Sequence, residues 1–427
     1  MKYYSTRDMK RENAYSLRDA AFMGLAPDGG LFMPERYPEI DIEKAGRLAE
    51  ESFAAMAAYI VGEMFGEDVP KEQLKALAED AFNFEVPLYE VFPGGSTLQL
   101  FHGPTFAFKD FGGRFMGRML GLLNAGGKPI TVLTATSGDT GSAVAHGFWK
   151  VPGVKVVILY PDGKVSDFQE AQMTTLGENI RPIAVSGTFD DCQALVKKAF
   201  ADKEFRAECR ITSANSINVL RWMPQSLYYF YGYFQWKKKG GEGAPDIVVP
   251  SGNYGNITAG MLAYRMGLPV RRFIAGANAN DVVPQFLAGS PYTPRPSVQT
   301  VANAMDVGAP SNFERMICLY GNDEDVVRGE VEGYSYSDEE IEKGIDEMYR
   351  NYGYVSDPHS AVGYLAYKDS GANGFWLSTA HAAKFAPVIE RSTGVCPELP
   401  AAFREILSLP RNFSAMNVSF EELKKNI

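Results

Sequence analysis

Three short segments of this 427-residue chain combine residue types that can do chemistry. Lys109 stands in F-H-G-P-T-F-A-F-K-D-F-G-G-R, among phenylalanines and ahead of a Gly-Gly pair. In apolar surroundings a lysine either snorkels to water or has its charged form disfavoured, and a neutral amine is what Schiff-base chemistry needs. The run V-V-P-S-G-N-Y-G-N-I-T-A-G places Gly252, Asn253, Tyr254, Gly255 and Asn256 where a strand-like segment gives way to a helix-like one. Glycines let the backbone turn tightly against an anion, and a helix start presents unpaired N–H groups with partial positive charge. The run lacks the lysine-serine ending of a Walker loop and the G-x-G-x-x-G spacing, so nucleoside triphosphates and dinucleotides are disfavoured. A tight strand-to-helix connection would need the same glycines. The run L-T-A-T-S-G-D-T-G-S repeats the design with Ser137, Gly138, Asp139 and Thr140. There the hydroxyls of Ser137 and Thr140, at the start of a predicted helix over 141–149, fit a second anion such as a carboxylate. Ser137, Asp139 or Thr140 can equally serve as an ordinary helix cap. Two anion sites at successive strand ends imply a ligand with more than one acidic group.

These segments must be held by a sheet. Runs rich in β-branched and other apolar residues at 129–134, 154–160, 180–185, 245–250, 270–275 and 375–379 alternate with helix-like stretches such as 166–176 and 189–202. Such alternation predicts an α/β fold with parallel sheets covered by helices. Before it, residues 16–24, 43–64 and 71–82 have helical periodicity, which predicts a mostly helical N-terminal unit ending near the Pro- and Gly-punctuated stretch at 90–100. A long apolar helix is expected over 216–238, while 289–335 shows little periodicity and several prolines and reads as loops or a lid.

Composition narrows the function. Hydrophobic residues are 45% and charged residues 22%, ordinary for a folded enzyme-sized body of two or three domains. A net charge of -10 argues against general binding to nucleic acid or a bilayer surface. The four cysteines lie far apart with no C-x-x-C, and the four histidines fall singly, so neither a disulfide framework nor a zinc site is indicated. With no apolar signal region at the start and no membrane-length apolar window, a cytoplasmic protein without a metal is expected.

In order along the chain, F-H-G-P-T-F-A-F-K-D-F-G-G-R-F, T-A-T-S-G-D-T-G, S-A-N-S-I-N, P-S-G-N-Y-G-N and L-S-T-A-H-A-A-K-F resemble the threonine synthase family. The opening S-L-R-D-A-A-F-M-G-L-A-P-D-G-G-L-F-M-P is similar to the family's N-terminus, so the resemblance spans essentially the whole chain. It implies the tryptophan-synthase-like fold of pyridoxal-phosphate enzymes, with two open, mainly parallel sheets flanked by helices. The expected division is 1–95 as a helical N-terminal domain and 96–427 as a catalytic region of two α/β subdomains, the smaller over roughly 110–205. The implied cofactor is pyridoxal 5'-phosphate, bound covalently by Lys109, with its phosphate on Gly252, Asn253, Tyr254, Gly255 and Asn256. Thr379 matches the hydroxyl that meets the pyridine nitrogen, a weaker hold on a proton there than a carboxylate gives. Ser137, Gly138 and Thr140 match the loop that receives the substrate carboxylate, and Asn215, Ser216 and Arg221 match residues around the substrate phosphate, with Lys384 and Arg114 as further candidates. Arg221 can instead pair with a surface carboxylate.

The implied substrate is O-phospho-L-homoserine, which loses its γ-phosphate and takes up water at Cβ to give L-threonine. A related pyridoxal-phosphate phospho-lyase or dehydratase, releasing a keto acid and ammonia, shares these motifs. Two departures stand out. Asp139 occupies a position, near the cofactor's phenolic oxygen, where many relatives in the wider fold carry asparagine; a carboxylate there is repelled unless it shares a proton or turns away. Ala382 stands where the family often has proline.

Overall fold

Mostly apolar runs such as Val154–Pro161, broken only by Lys155, suit strands covered on both faces, and the computed structural model uses them so. It describes residues 1–427 apart from Ser137, and of Ala207 the backbone alone. Two units result: Met1–Phe32 with Lys109–Arg221 and Leu399–Ile427, and Met33–Phe108 with Trp222–Glu398. This division does not follow sequence order, since the first 32 residues join one unit and the helices after them join the other.

The first unit is built on a parallel sheet of five described strands, in the order Ser414–Met416, Ile180–Val185, Val154–Pro161, Ile130–Ala135, Ile211–Thr212. Leu133, Val157, Leu159 and Ile183 form its core with Leu195 and Phe420 from covering helices. The spacing of Gly113 and Gly117 on the helix Lys109–Leu123 also has a packing reason. A Cβ on Gly113 would lie 2.7 Å from the Ala143 carbonyl oxygen, and one on Gly117 2.1 Å from that of Gly147. The helix Asp139–Phe148 therefore approaches at backbone contact.

The second unit carries six described strands, in the order Val331–Ser335, Arg272–Ala277, Asp246–Pro250, Gly374–Ser378, Gly95–Gln99, Leu88–Phe92. All pair in parallel except the last, which joins Gly95–Gln99 as an antiparallel hairpin. Asp246–Pro250 and Gly374–Ser378 are central and wholly buried, with Trp376 opposite Val248. The two sheets flanked by helices match the expected fold class.

Three local expectations change. The helix expected over 43–64 is two helices, Ile42–Glu51 and Phe53–Phe65. Ser52 ends the first and caps the second, its side chain accepting from Ala55 N–H, and its extended backbone breaks the run. The helix expected over 216–238 is interrupted by a 3-10 turn at Met223–Gln225, where Pro224 has no N–H to continue the ladder. The region 289–335 holds more than loops: helices Phe313–Leu319 and Glu324–Glu330 and the edge strand Val331–Ser335. Each is too short for its periodicity to register. Among the described residues no helix is long and apolar enough to cross a membrane.

Candidate active site

In the second unit, the neighbouring strands Asp246–Pro250 and Gly374–Ser378 run parallel and end at the same edge of the sheet. That edge is where ligands bind in open α/β folds. After the first strand the chain turns through Ser251–Tyr254 into the helix Gly255–Arg265. Tyr254 sits at the helix start in left-handed backbone, φ 59°, and no side chain caps the helix. For a bulky residue that conformation is strained, and such strain collects at binding sites. Neither the Gly255 nor the Asn256 N–H meets an acceptor among the described residues. A Cβ on Gly252 would stand 2.5 Å from Met305 Cα, so only glycine fits at the mouth of the turn. Asn253 is steered from its far side, its Oδ1 accepting from Ser311 N at 2.7 Å and Ser311 Oγ at 3.0 Å. Asn256 is used inside the turn: its amide donates to Pro250 O at 2.7 Å and accepts from Ile257 N at 2.9 Å and Ser251 Oγ at 3.2 Å. Its side chain thus shapes the loop, while its backbone N–H is left without an acceptor among the described residues. Burial raises the phenol pKa of Tyr254, with Asp281 and Tyr292 adding to the shift, and its hydroxyl stays protonated.

At the end of the other strand Thr379 is 6% exposed, and its hydroxyl has no hydrogen-bond partner among the described residues. Its backbone is held on both sides: the N–H donates to Ser360 Oγ at 2.9 Å, and the carbonyl accepts from Phe108 N at 2.9 Å. Phe108 immediately precedes Lys109. That approach segment is bolted down further by an Ala107–Ala380 bridge, by His381 N–H on Phe106 O at 3.1 Å and by Lys384 Nζ on Thr105 O at 2.8 Å. The Thr105 bond gives Lys384 a structural task, fixing the peptide ahead of the lysine. His381 caps the 3-10 turn Ala382–Phe385 through Nδ1, which accepts from Ala383 N at 3.2 Å. Burial, with His102 beside it, pulls the His381 pKa down to about 4.

In the first unit Lys109 heads the helix Lys109–Leu123 and is half-buried. Asp110 and Arg221 are buried behind it, and a Cβ on Gly112 would press 2.3 Å from the Arg221 carbonyl oxygen. Burial pulls the Arg221 pKa down to about 10, the Asp110 carboxylate opposing the shift. Its Nη1 donates to Ala214 O at 2.6 Å, so this guanidinium orders the S-A-N-S loop and is not at a surface pair. Asn215 is tied to the next strand, its Oδ1 accepting from Thr134 Oγ1 at 3.1 Å. Ser216 follows in the same loop, and Arg114 lies further along the Lys109 helix.

After the strand Ile130–Ala135, Thr136 organises the turn, its hydroxyl accepting from Gly138 N and Gly141 N, both at 2.9 Å. Gly138 has φ 147°, and a Cβ there would meet the Gln169 side chain at 2.4 Å. The N–H and hydroxyl of Thr140 have no partner among the described residues. Gln169 Nε2 donates to Asp139 Oδ1 at 3.0 Å, which gives that carboxylate a neutral amide partner. Ser137 lies outside the described residues.

These features fit pyridoxal phosphate on their own terms: an uncapped helix start behind a glycine cradle suits its phosphate, and a buried hydroxyl without a partner suits its ring nitrogen. Residues 99–374 match the family described as pyridoxal-phosphate dependent enzymes, residues 2–82 match the threonine synthase N terminus, and residues 360–427 match the threonine synthase C-terminal segment. A threonine synthase of Serratia marcescens is 43% identical over 428 residues, covering 100% of this chain and 98% of the relative. The chain belongs to the threonine synthase family. It is therefore a pyridoxal-phosphate-dependent lyase, as the resemblance of its motifs implies. The crystal structure of Escherichia coli threonine synthase superposes with a TM-score of 0.89 at 42% identity, covering 100% of this chain and 99% of that one. The pyridoxal-phosphate-bound threonine synthase of Brucella melitensis gives 0.93 at 33% identity, covering 100% and 98%. Both place the fold among the type II pyridoxal-phosphate enzymes.

The motifs did not expose every residue that shapes these loops. Gln169, Ser311 and Ser360 act from outside the glycine-rich runs and Thr136 from inside one, and only their hydrogen bonds reveal them.

Proposed function

We propose that this chain converts O-phospho-L-homoserine and water into L-threonine and phosphate. What supports the reading is that similarity to proteins named threonine synthase runs over the whole chain, terminal segments included, and not over the cofactor region alone. The working place is the cytoplasm, in keeping with four free cysteines.

In this reading the N–H groups of Gly255 and Asn256, with Gly252, Asn253 and Tyr254 around them, take the cofactor phosphate, and the Thr379 hydroxyl takes the ring nitrogen. Lys109 would hold the cofactor aldehyde, and its amine would carry protons at the substrate's α, β and γ carbons. Bound pyridoxal phosphate supplies an electron sink conjugated to the substrate amino group. Ser137, Gly138 and Thr140 receive the substrate carboxylate. Asp139, whose Oδ1 accepts from Gln169, ties this loop to the helix Asp167–Thr174. Asn215 and Ser216 present the substrate phosphate with polar groups, and Arg221 supplies the positive charge behind them while holding the Ala214 carbonyl. The Cγ–O bond breaks with phosphate as the leaving group, and the water oxygen bonds to Cβ.

Turnover in heavy-oxygen water tests this. Label is expected in the threonine hydroxyl, with the released phosphate unlabelled at short times. Labelled phosphate with homoserine as product would mean attack at phosphorus, and a keto acid with ammonia would mean a lyase that stops before hydration; either result overturns the proposal.

A further inference from the structure

A second polar cluster stands in the second unit just behind the loops assigned above. The helix Pro358–Asp369 starts in D-P-H-S, with Asp357 as its cap. Asp357, His359 and Ser360 are 1%, 3% and 1% exposed. A cap needs one accepting oxygen, and Ser337 and Asp323 provide it elsewhere in this chain at exposed helix starts. Burying a whole carboxylate for that purpose costs several kcal/mol of lost hydration. Asp357 recovers the cost through four donors. Its Oδ1 accepts from His359 N at 2.9 Å, His359 Nδ1 at 2.8 Å and Ser360 N at 3.4 Å, and its Oδ2 accepts from Ser360 Oγ.

From this carboxylate two branches leave, and each ends on a cofactor contact. In one, Ser360 gives its proton to Asp357, which turns its lone pairs toward Thr379 N–H at 2.9 Å. That bond sets the backbone of the residue assigned to the ring nitrogen. In the other, the Ala304 N–H donates to His359 Nε2 at 3.0 Å. An acceptor at Nε2 must be a lone pair, so the ring proton is on Nδ1, pointed at Asp357. Ala304 is the middle of the 3-10 turn Asn303–Met305, and Met305 is the wall against which Gly252 fits only as glycine.

We propose that Asp357 is a positioning residue that fastens both ends of the cofactor site, the Thr379 strand end through Ser360 and the Gly252 phosphate turn through His359. The inference rests on the cofactor assignments of Thr379 and Gly252–Asn256. It accounts for two features that capping leaves unexplained: burial of the carboxylate, and the use of both its oxygens.

Three variants separate the branches. Asp357→Asn keeps a good helix cap. Ser360→Ala removes the acceptor for Thr379 N–H together with the hydroxyl donor to Asp357 Oδ2, and His359→Phe keeps a ring while removing the acceptor for Ala304 N–H and the Nδ1 donor to Asp357. Each is measured beside wild type for its thermal midpoint without cofactor, its dissociation constants for pyridoxal 5'-phosphate and for phosphate-free pyridoxal, and the visible band of the bound cofactor. Ser360→Ala is expected to shift the band and to weaken both ligands by the same factor, about tenfold. His359→Phe is expected to leave the band in place and to weaken pyridoxal 5'-phosphate about tenfold with pyridoxal unchanged. Asp357→Asn should show both effects. If either single-branch variant fails to fold, Asp357→Asn alone decides, because loss of a cap is not at issue in it. The inference is overturned if Asp357→Asn lowers only the thermal midpoint, leaving both affinities within about twofold of wild type and the band unmoved. A different failure marks the site assignment itself: wild type binding pyridoxal as tightly as pyridoxal 5'-phosphate would remove the phosphate turn, and the inference with it.

Discussion

Replacing Gly252 by alanine tests the phosphate turn directly. The added Cβ would stand 2.5 Å from Met305 Cα, 3.1 Å from its Cβ and 3.2 Å from its carbonyl carbon. Ordinary contact begins at 3.4 Å, so one of the two backbones has to give by nearly an ångström. Met305 cannot yield freely. Its N–H is bonded to Ala302 O at 3.0 Å, its carbonyl takes Val307 N at 2.8 Å, and the residue before it is held by His359. Forcing a methyl group into such a contact costs about 1–3 kcal/mol. If the turn 303–305 moves, the cost is paid as folding stability; if the loop 251–254 moves, the Gly255 and Asn256 N–H groups lose their aim and cofactor affinity drops about 5- to 150-fold. Urea melts of the cofactor-free protein and a spectrophotometric titration with pyridoxal 5'-phosphate read the two shares, which should together reach at least about 1 kcal/mol. Gly329→Ala is the control: nothing lies within 4 Å of its added Cβ and it sits in the helix Glu324–Glu330, so stability should hold or rise slightly. Unchanged melts and an unchanged titration for Gly252→Ala would refute the close approach on which the cradle is argued.

Lys109→Ala should abolish turnover and the visible band of bound cofactor while far-ultraviolet circular dichroism stays that of wild type; measurable turnover would remove the lysine from the chemistry. Asn218→Ala should destabilise the fold by about 1–3 kcal/mol in urea melts, because Asn218 Nδ2 bonds to Ala21 O at 2.8 Å and Ser213 O at 3.1 Å and both acceptors are buried. The pH dependence carries a sign. With its pKa pulled from 6.5 to about 4, His381 is neutral in the fold where the unfolded chain binds a proton, so stability is expected to fall as pH drops from about 6.5 to about 4 and to stop changing on this account below that. His381→Asn, which keeps a capping acceptor without a titration, should flatten that slope; an identical slope in variant and wild type would show that His381 is not its source.

How much of this was legible beforehand depended on length and on locality. Val154–Pro161 and Ile180–Val185 could be read as buried strands because each is a short, mostly apolar run with β-branched residues, bounded by glycine or proline and too short for a helix. Ser52 and Pro224 were visible as residues, but a serine inside an apolar periodic run is also a tolerable helix residue, and only its extended backbone shows that it ends one helix and starts another. The seven-residue helices Phe313–Leu319 and Glu324–Glu330 have two turns each, too few for a period to rise above a Pro-rich neighbourhood. The smaller subdomain expected over roughly 110–205 overlaps Lys109–Arg221, but the joining of Met1–Phe32 and Leu399–Ile427 to it could not be read, since that depends on which segments return to which sheet.

The site divides along the same line. Residues that act through backbone geometry, such as Gly252 and Gly138, announce themselves, because only glycine serves and the local run says so. Residues that act by holding those loops from elsewhere do not: Gln169 lies 30 positions beyond Asp139, and Ser311 lies 58 beyond Asn253. Two residues that stand in the motifs have side chains engaged by the protein: the Asn256 amide braces the turn from inside, leaving its backbone N–H to a ligand, and Lys384, a candidate for the substrate phosphate, holds the Thr105 carbonyl four residues ahead of Lys109. Polar residues in a glycine-rich motif are thus of two kinds, those that face the ligand and those that keep the turn in a shape the ligand can use. The second kind must spend its hydrogen bonds on the protein, so it can be told from the first by asking whether its donors and acceptors are already taken. By that measure Thr379 and Thr140, whose hydroxyls have no partner among the described residues, are among the motif side chains left to meet a ligand directly.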